Sequence, residues 1–96
     1  MRFNLPAKPK AFAEIASLLG ENITGLSAQA AAERAITAVE KLRSDIGIPN
    51  RLREIGVKQE QLRGLAEKTF GIKRILRVNP RAVTVEEIEA IFKEAL

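Results

Sequence analysis

An all-α fold of about five helices, forming a small bundle-like subdomain, is predicted by three features of this 96-residue sequence. Alanine, leucine, glutamate, lysine and arginine dominate it, no period-2 alternation of β-branched residues extends far, and the glycines and prolines fall between periodic segments. A chain of this length has room for one small helical domain spanning residues 1–96 and not for two.

The first predicted helix runs roughly from Pro9 to Leu19. Proline is tolerated in an opening turn, Phe12, Ile15, Ala16 and Leu19 form one stripe, and Gly20 terminates it. Ser27 then suits the N-cap of the longest helix, whose Ala32, Ala35, Ile36, Val39, Leu42 and Ile46 share a side. Its alanines permit close approach of a neighbour, and Gly47 followed by Pro49 stops it. A short helical turn is expected from Asn50 to Ile55, ending at Gly56. Another helix begins near Gln59 and carries Leu62, Leu65, Ala66 and Phe70 before Gly71. Past Gly71, Ile72, Ile75 and Leu76 recur at helical spacing, with Lys73, Arg74 and Arg77 on the opposite side.

The last helix is the best specified. Thr84 followed three residues later by Glu87 makes a capping box, in which the hydroxyl accepts from the Glu87 amide and the carboxylate accepts from the Thr84 amide. Val83 and Ile88 have hydrophobic-staple spacing, and Ile88, Ile91, Phe92 and Ala95 supply the apolar stripe. Ordinary core packing is the expectation for Phe12, Ile36, Val39, Leu65, Ile88 and Phe92.

Composition excludes much chemistry. With no cysteine and no histidine, the chain has neither a thiolate nor an imidazole for metal binding or nucleophilic catalysis. No apolar run approaches a membrane span and no signal-peptide pattern opens the sequence, so the cytoplasm is the expected compartment. Asn22-Ile23-Thr24 fits the glycosylation acceptor pattern and reads as a loop feature without such a signal.

The net charge of +4 is concentrated. Between residues 63 and 81, Arg63, Lys68, Lys73, Arg74, Arg77 and Arg81 face Glu67 alone, so this segment carries +5 and the rest −1. Such a run is more often a solvated face than a site. The candidate site residues are nonetheless Lys73, Arg74, Arg77 and Arg81, as an anion contact, because guanidinium and ammonium groups suit phosphate or carboxylate. Nucleic acid is the least favoured partner, since tyrosine and tryptophan are absent and no helix-turn-helix register accompanies the cluster.

An ordered set of short motifs resembles the C-terminal part of the iron-containing (group III) alcohol dehydrogenase family. Met1-Arg2-Phe3-Asn4-Leu5-Pro6 is similar to the segment leading out of that family's metal-binding region, and Phe12-Ala13-Glu14-Ile15-Ala16 with Leu19-Gly20 to its next helix. Gly47-Ile48-Pro49, Leu52 to Val57, then Asn79-Pro80-Arg81 with Thr84 and Glu87-Ile88 resemble its closing landmarks.

The resemblance implies an all-helical C-terminal portion in a dehydroquinate synthase-like fold. It implies parent enzymes that interconvert alcohols and carbonyl compounds with NAD(P) and a divalent metal such as iron. In that family the glycine-rich cofactor motif lies in an N-terminal α/β domain, and one aspartate and three histidines upstream hold the metal. None of these carries over onto a residue here, so the expectation is no catalytic, cofactor-binding or metal-binding residue, and no activity for this chain alone. Many members also carry an acidic residue and a cysteine where this chain reads Gly71-Ile72-Lys73-Arg74-Ile75-Leu76-Arg77. The expected partner is the remainder of a parent enzyme. The alternative is an independent helical module that binds another protein or itself, the latter as a homo-oligomer, through uncovered apolar surface.

Overall fold

A computed structural model describes residues 1–96. It is all-α and without strands. The five α-helices are α1 (Pro9–Leu18), α2 (Ala28–Asp45), α3 (Leu62–Phe70), α4 (Lys73–Leu76) and α5 (Val85–Ala95). Short 3-10 turns at Leu5–Ala7, Leu52–Ile55 and Gln59–Gln61 complete the regular structure. The turn at Leu5–Ala7 has no periodic signal in the sequence. The helices fall into two compact units, Met1–Ile48 and Pro49–Leu96.

In the first unit α1 packs on α2. Leu5, Phe12, Ala16, Ala32, Ala35 and Ile36 form the buried core, with Ile23 against it. Both helices end by the same device. Beyond α1 the Gly20 amide donates to Ser17 O (3.0 Å) and the Glu21 amide to Ala16 O (3.0 Å); beyond α2 the Gly47 amide donates to Ser44 O (3.1 Å) and the Ile48 amide to Arg43 O (3.0 Å). These are Schellman pairs, and they need the left-handed φ of +89° at Gly20 and +78° at Gly47 that glycine adopts without penalty. Ser27 caps α2 by accepting from the Ala30 amide at 3.1 Å. Asn22 accepts from the Thr24 amide at 3.1 Å, which gives the glycosylation-like triplet a local turn role.

The stripe on α2 is buried over half its length only. Ala32, Ala35 and Ile36 are buried, whereas Val39 sits at the surface, Leu42 is 52% exposed and Ile46 61%. Length accounts for this. At about 1.5 Å per residue the ten residues of α1 span about 15 Å and the eighteen of α2 about 27 Å, so α1 covers barely more than half of its partner.

Width accounts for the other departures from the predicted core. On α1 the buried positions are Phe12 and Ala16, on α3 Leu62 and Ala66; these i, i+4 pairs lie on one line facing the partner helix. Ile15, Leu19 and Leu65, three residues from that line, are exposed, as is Ile91 on α5. A helix packed against a single neighbour buries a narrower strip than its whole apolar face.

In the second unit α3 packs on α5, with Leu62, Ala66 and Ile88 buried. Leu62 has no exposed surface. The capping box is formed: Thr84 Oγ1 accepts from the Glu87 amide at 3.2 Å, and Glu87 Oε2 accepts from the Thr84 amide at 2.9 Å. Side chains reach back in the same way at the two 3-10 turns, Glu54 Oε2 to the Arg51 amide (2.6 Å) and Gln61 Oε1 to the Lys58 amide (2.8 Å). Arg51 also donates from its guanidinium to the Glu94 carbonyl in the last turn of α5, at 2.7 Å. That carbonyl is one of the orphan acceptors every helix end leaves.

Candidate functional site

The four basic candidates fall in the second unit, and the structure divides them. Lys73, Arg74 and Arg77 line an open groove of about 460 Å³ together with Phe70, Leu76, Ala82 and Val83. Arg81 is not among the lining residues. Its guanidinium lies 3.8 Å from Glu87 Oε1, and its carbonyl accepts from Asn79 Nδ2 at 2.6 Å. The Asn79-Pro80-Arg81 tripeptide is therefore a turn tied by side chains, leading into the capped start of α5.

Local sequence builds the groove. After α3, the Gly71 amide donates to Glu67 O and Lys68 O, and the chain restarts at once as α4. Gly71 keeps an ordinary helical φ, so its value lies in space: a Cβ there would meet the Lys68 carbonyl at 3.2 Å. The tight junction sets Phe70 next to the first turn of α4, and the Lys73 ammonium rests 3.2 Å from the centre of the Phe70 ring. That is within cation–π range and holds the lysine head over an apolar surface. Phe70 is half-buried and serves as a wall of the groove as well as an end of the α3 stripe. No helical spacing rule announces the contact, because the non-helical Ile72 separates Phe70, the end of α3, from Lys73, the start of α4.

The electrostatics differ sharply over a short distance. Arg63 on α3 is a hub, with Glu67 at 3.1 Å, Glu89 at 3.3 Å and Glu86 at 3.4 Å. Lys93 pairs with Glu89 at 3.2 Å. Glu89 is held below the usual carboxylate range by Lys93 first and then by Arg63, and Glu86 by its own backbone amide and by Arg63. The Arg63 guanidinium is correspondingly raised, by Glu67 and then Glu89.

Arg74 and Arg77 take no part in this. Neither forms an ion pair or a side-chain hydrogen bond. Lys73 and Arg77 stand at i, i+4, where like charges destabilise a helix by about 0.2–0.5 kcal/mol. The groove thus combines three cationic heads, none of them met by a carboxylate, with mainly apolar walls.

A resident metal does not fit the residues present. Histidine and cysteine are absent from the sequence, and no three carboxylates come together to hold an ion. No helix is long and apolar enough to cross a membrane.

Comparison with known proteins bears on the whole chain. Residues 1–96 match the family model described as Fe-containing alcohol dehydrogenase family, C-terminal. The NAD-dependent methanol dehydrogenase of Bacillus methanolicus is 50% identical over 94 residues, which is 98% of this chain and 24% of that protein. The 1,3-propanediol dehydrogenase of Klebsiella pneumoniae is 49% identical with the same coverage. A crystal structure of 1,3-propanediol oxidoreductase superposes with a TM-score of 0.95 at 48% identity, over 99% of this chain and 25% of that one. The chain spans about a quarter of the length of the curated relatives it matches. It belongs to the Fe-containing alcohol dehydrogenase family and corresponds to that family's C-terminal helical part.

Proposed function

We propose that this chain serves as the C-terminal helical part of a metal-dependent, NAD(P)-linked alcohol dehydrogenase, and that by itself it does not turn over alcohol. The observation carrying the proposal is the match over all 96 residues to a family whose named members include an NAD-dependent enzyme, in a chain without histidine or cysteine. Nicotinamide binding is assigned to the remainder of the enzyme as well. The six glycines stand singly at 20, 25, 47, 56, 64 and 71, with no Gly-x-Gly spacing to bring a backbone against a pyrophosphate. What this chain supplies is a docking scaffold, and the exposed Val39, Leu42 and Ile46 on α2 are the apolar surface through which it meets the remainder. The same proposal places it in the cytoplasm, which cell fractionation tests.

The experiment is turnover by the purified chain with NADH or NADPH, ferrous iron and a short aldehyde, with and without a homologous polypeptide lacking its own last quarter. No activity alone and activity on mixing are expected. Aldehyde reduction by the chain alone refutes the proposal.

The uncovered half of α2 also favours a second reading, in which two copies pair through it. Sedimentation should then show a dimer, and Leu42→Ser with Ile46→Ser should return it to monomer. A monomer at high concentration excludes this reading.

A further inference from the structure

We infer that the groove between α4 and the start of α5 is a binding site for a small amphipathic anion, a carboxylate or phosphate monoester carried on an apolar body. The inference is independent of whether the chain works within a larger dehydrogenase.

Three observations converge on that ligand class. First, size: the groove of about 460 Å³ lies within the range of small-molecule sites, roughly 300–1,000 Å³. A cavity of about 150 Å³ already accepts benzene, so an aromatic or short aliphatic body fits with its head group to spare. Second, charge: Arg53, Lys58 and Lys68 in the same unit also lack an ion pair, but Lys73, Arg74 and Arg77 are the unpaired bases that converge on one groove, whereas Arg63, Arg81 and Lys93 are each met by glutamate. An anion in the groove relieves the Lys73–Arg77 repulsion, and a guanidinium offers it two parallel donors. Third, apolar walls: Phe70, Leu76, Ala82 and Val83 line the same space, so a ligand with only a charged head leaves them wet.

Preorganisation adds to this. The Phe70 ring fixes the Lys73 ammonium at the groove, so less side-chain freedom is lost when a ligand arrives. The two-part lining also separates this site from a nucleic-acid surface, which tracks a phosphate backbone and needs stacking platforms.

The test is an amide chemical-shift titration of the 96-residue chain with phenyl phosphate, benzoate, inorganic phosphate and benzyl alcohol. Phenyl phosphate and benzoate are expected to shift residues 70–77 and 82–83 saturably, with Kd near about 1 mM for ligands of this size. Inorganic phosphate and benzyl alcohol should each bind at least about tenfold more weakly, because each satisfies one half of the lining. If phenyl phosphate is preferred over benzoate, the natural head group is a phosphate; the reverse order assigns a carboxylate.

Arg74→Gln with Arg77→Gln, both at exposed positions, should weaken phenyl phosphate about tenfold and leave benzyl alcohol unchanged. Ala82→Glu, placing a carboxylate at the rim, should weaken it independently. Three results overturn the inference: no saturable shift with either amphipathic anion, inorganic phosphate binding as well as phenyl phosphate, or duplex DNA occupying the same residues more tightly with a steep salt dependence.

Discussion

Leu62 and Leu65 stand three residues apart on α3, and both read as core from spacing alone. Leu62 has no exposed surface, whereas Leu65 is 37% exposed. Alanine and leucine differ little in intrinsic helix propensity, and Leu62 is the first residue of α3, so burial dominates the difference between the two sites. At about 0.8 kcal/mol per buried carbon, truncating a fully buried leucine removes about 2.4 kcal/mol before any cavity contribution. With that contribution the expected range for Leu62→Ala is about 2.7–5 kcal/mol. At Leu65 roughly 60% of the burial is at stake and solvent fills the space, giving about 1.5 kcal/mol.

Thermal unfolding followed by the helical circular dichroism signal measures the pair. For a chain of this size each kcal/mol lowers Tm by about 4–8 °C, so Leu62→Ala should shift the midpoint about twice as far as Leu65→Ala. Equal shifts, or a larger one at Leu65, would refute the assignment of the α3–α5 contact line.

Thr84→Ala should cost about 1 kcal/mol by removing one half of the capping box, with Thr84→Ser restoring most of it; an unchanged Tm would show that the cap contributes nothing. Gly64→Ala, at a helical position with open space around the added methyl, should stabilise by about 0.4–1 kcal/mol, and a fall in Tm would contradict that. Acidification should weaken the second unit. Glu86 and Glu89 are lowered from an ordinary value of 4.5, so their contribution is full above that pH and is lost as pH falls through the depressed folded values. Glu86→Gln with Glu89→Gln should flatten acid unfolding, and an unaltered acid transition would exclude the linkage.

Helix ends were legible because their signals are local. Gly20 and Gly47 terminate α1 and α2 as spacing predicts, Ser27 and Thr84 cap, and each feature involves residues within five positions. Depth of burial was not legible in the same way. A stripe announces which face is apolar, but Val39, Leu42 and Ile46 are covered or bare according to the length of a different helix. The candidate site followed the same division. The run of bases was plain in one dimension, yet Arg63 and Arg81 are neutralised by glutamates of α5, which a count along the chain cannot assign. Phe70, read as an end of a core stripe, became a wall of the groove because Gly71 turns the chain so tightly after it.

The bond from Arg51 to the Glu94 carbonyl joins residues 43 positions apart. Helix termini ordinarily open first and independently, so their amides exchange with solvent quickly. Here the final turn of α5 is latched to the entrance of the Leu52–Ile55 turn, and releasing one end loosens the other. Deuterium uptake should therefore rise in step at both ends of the second unit, making residues 51–55 and the last turn of α5 a single opening event.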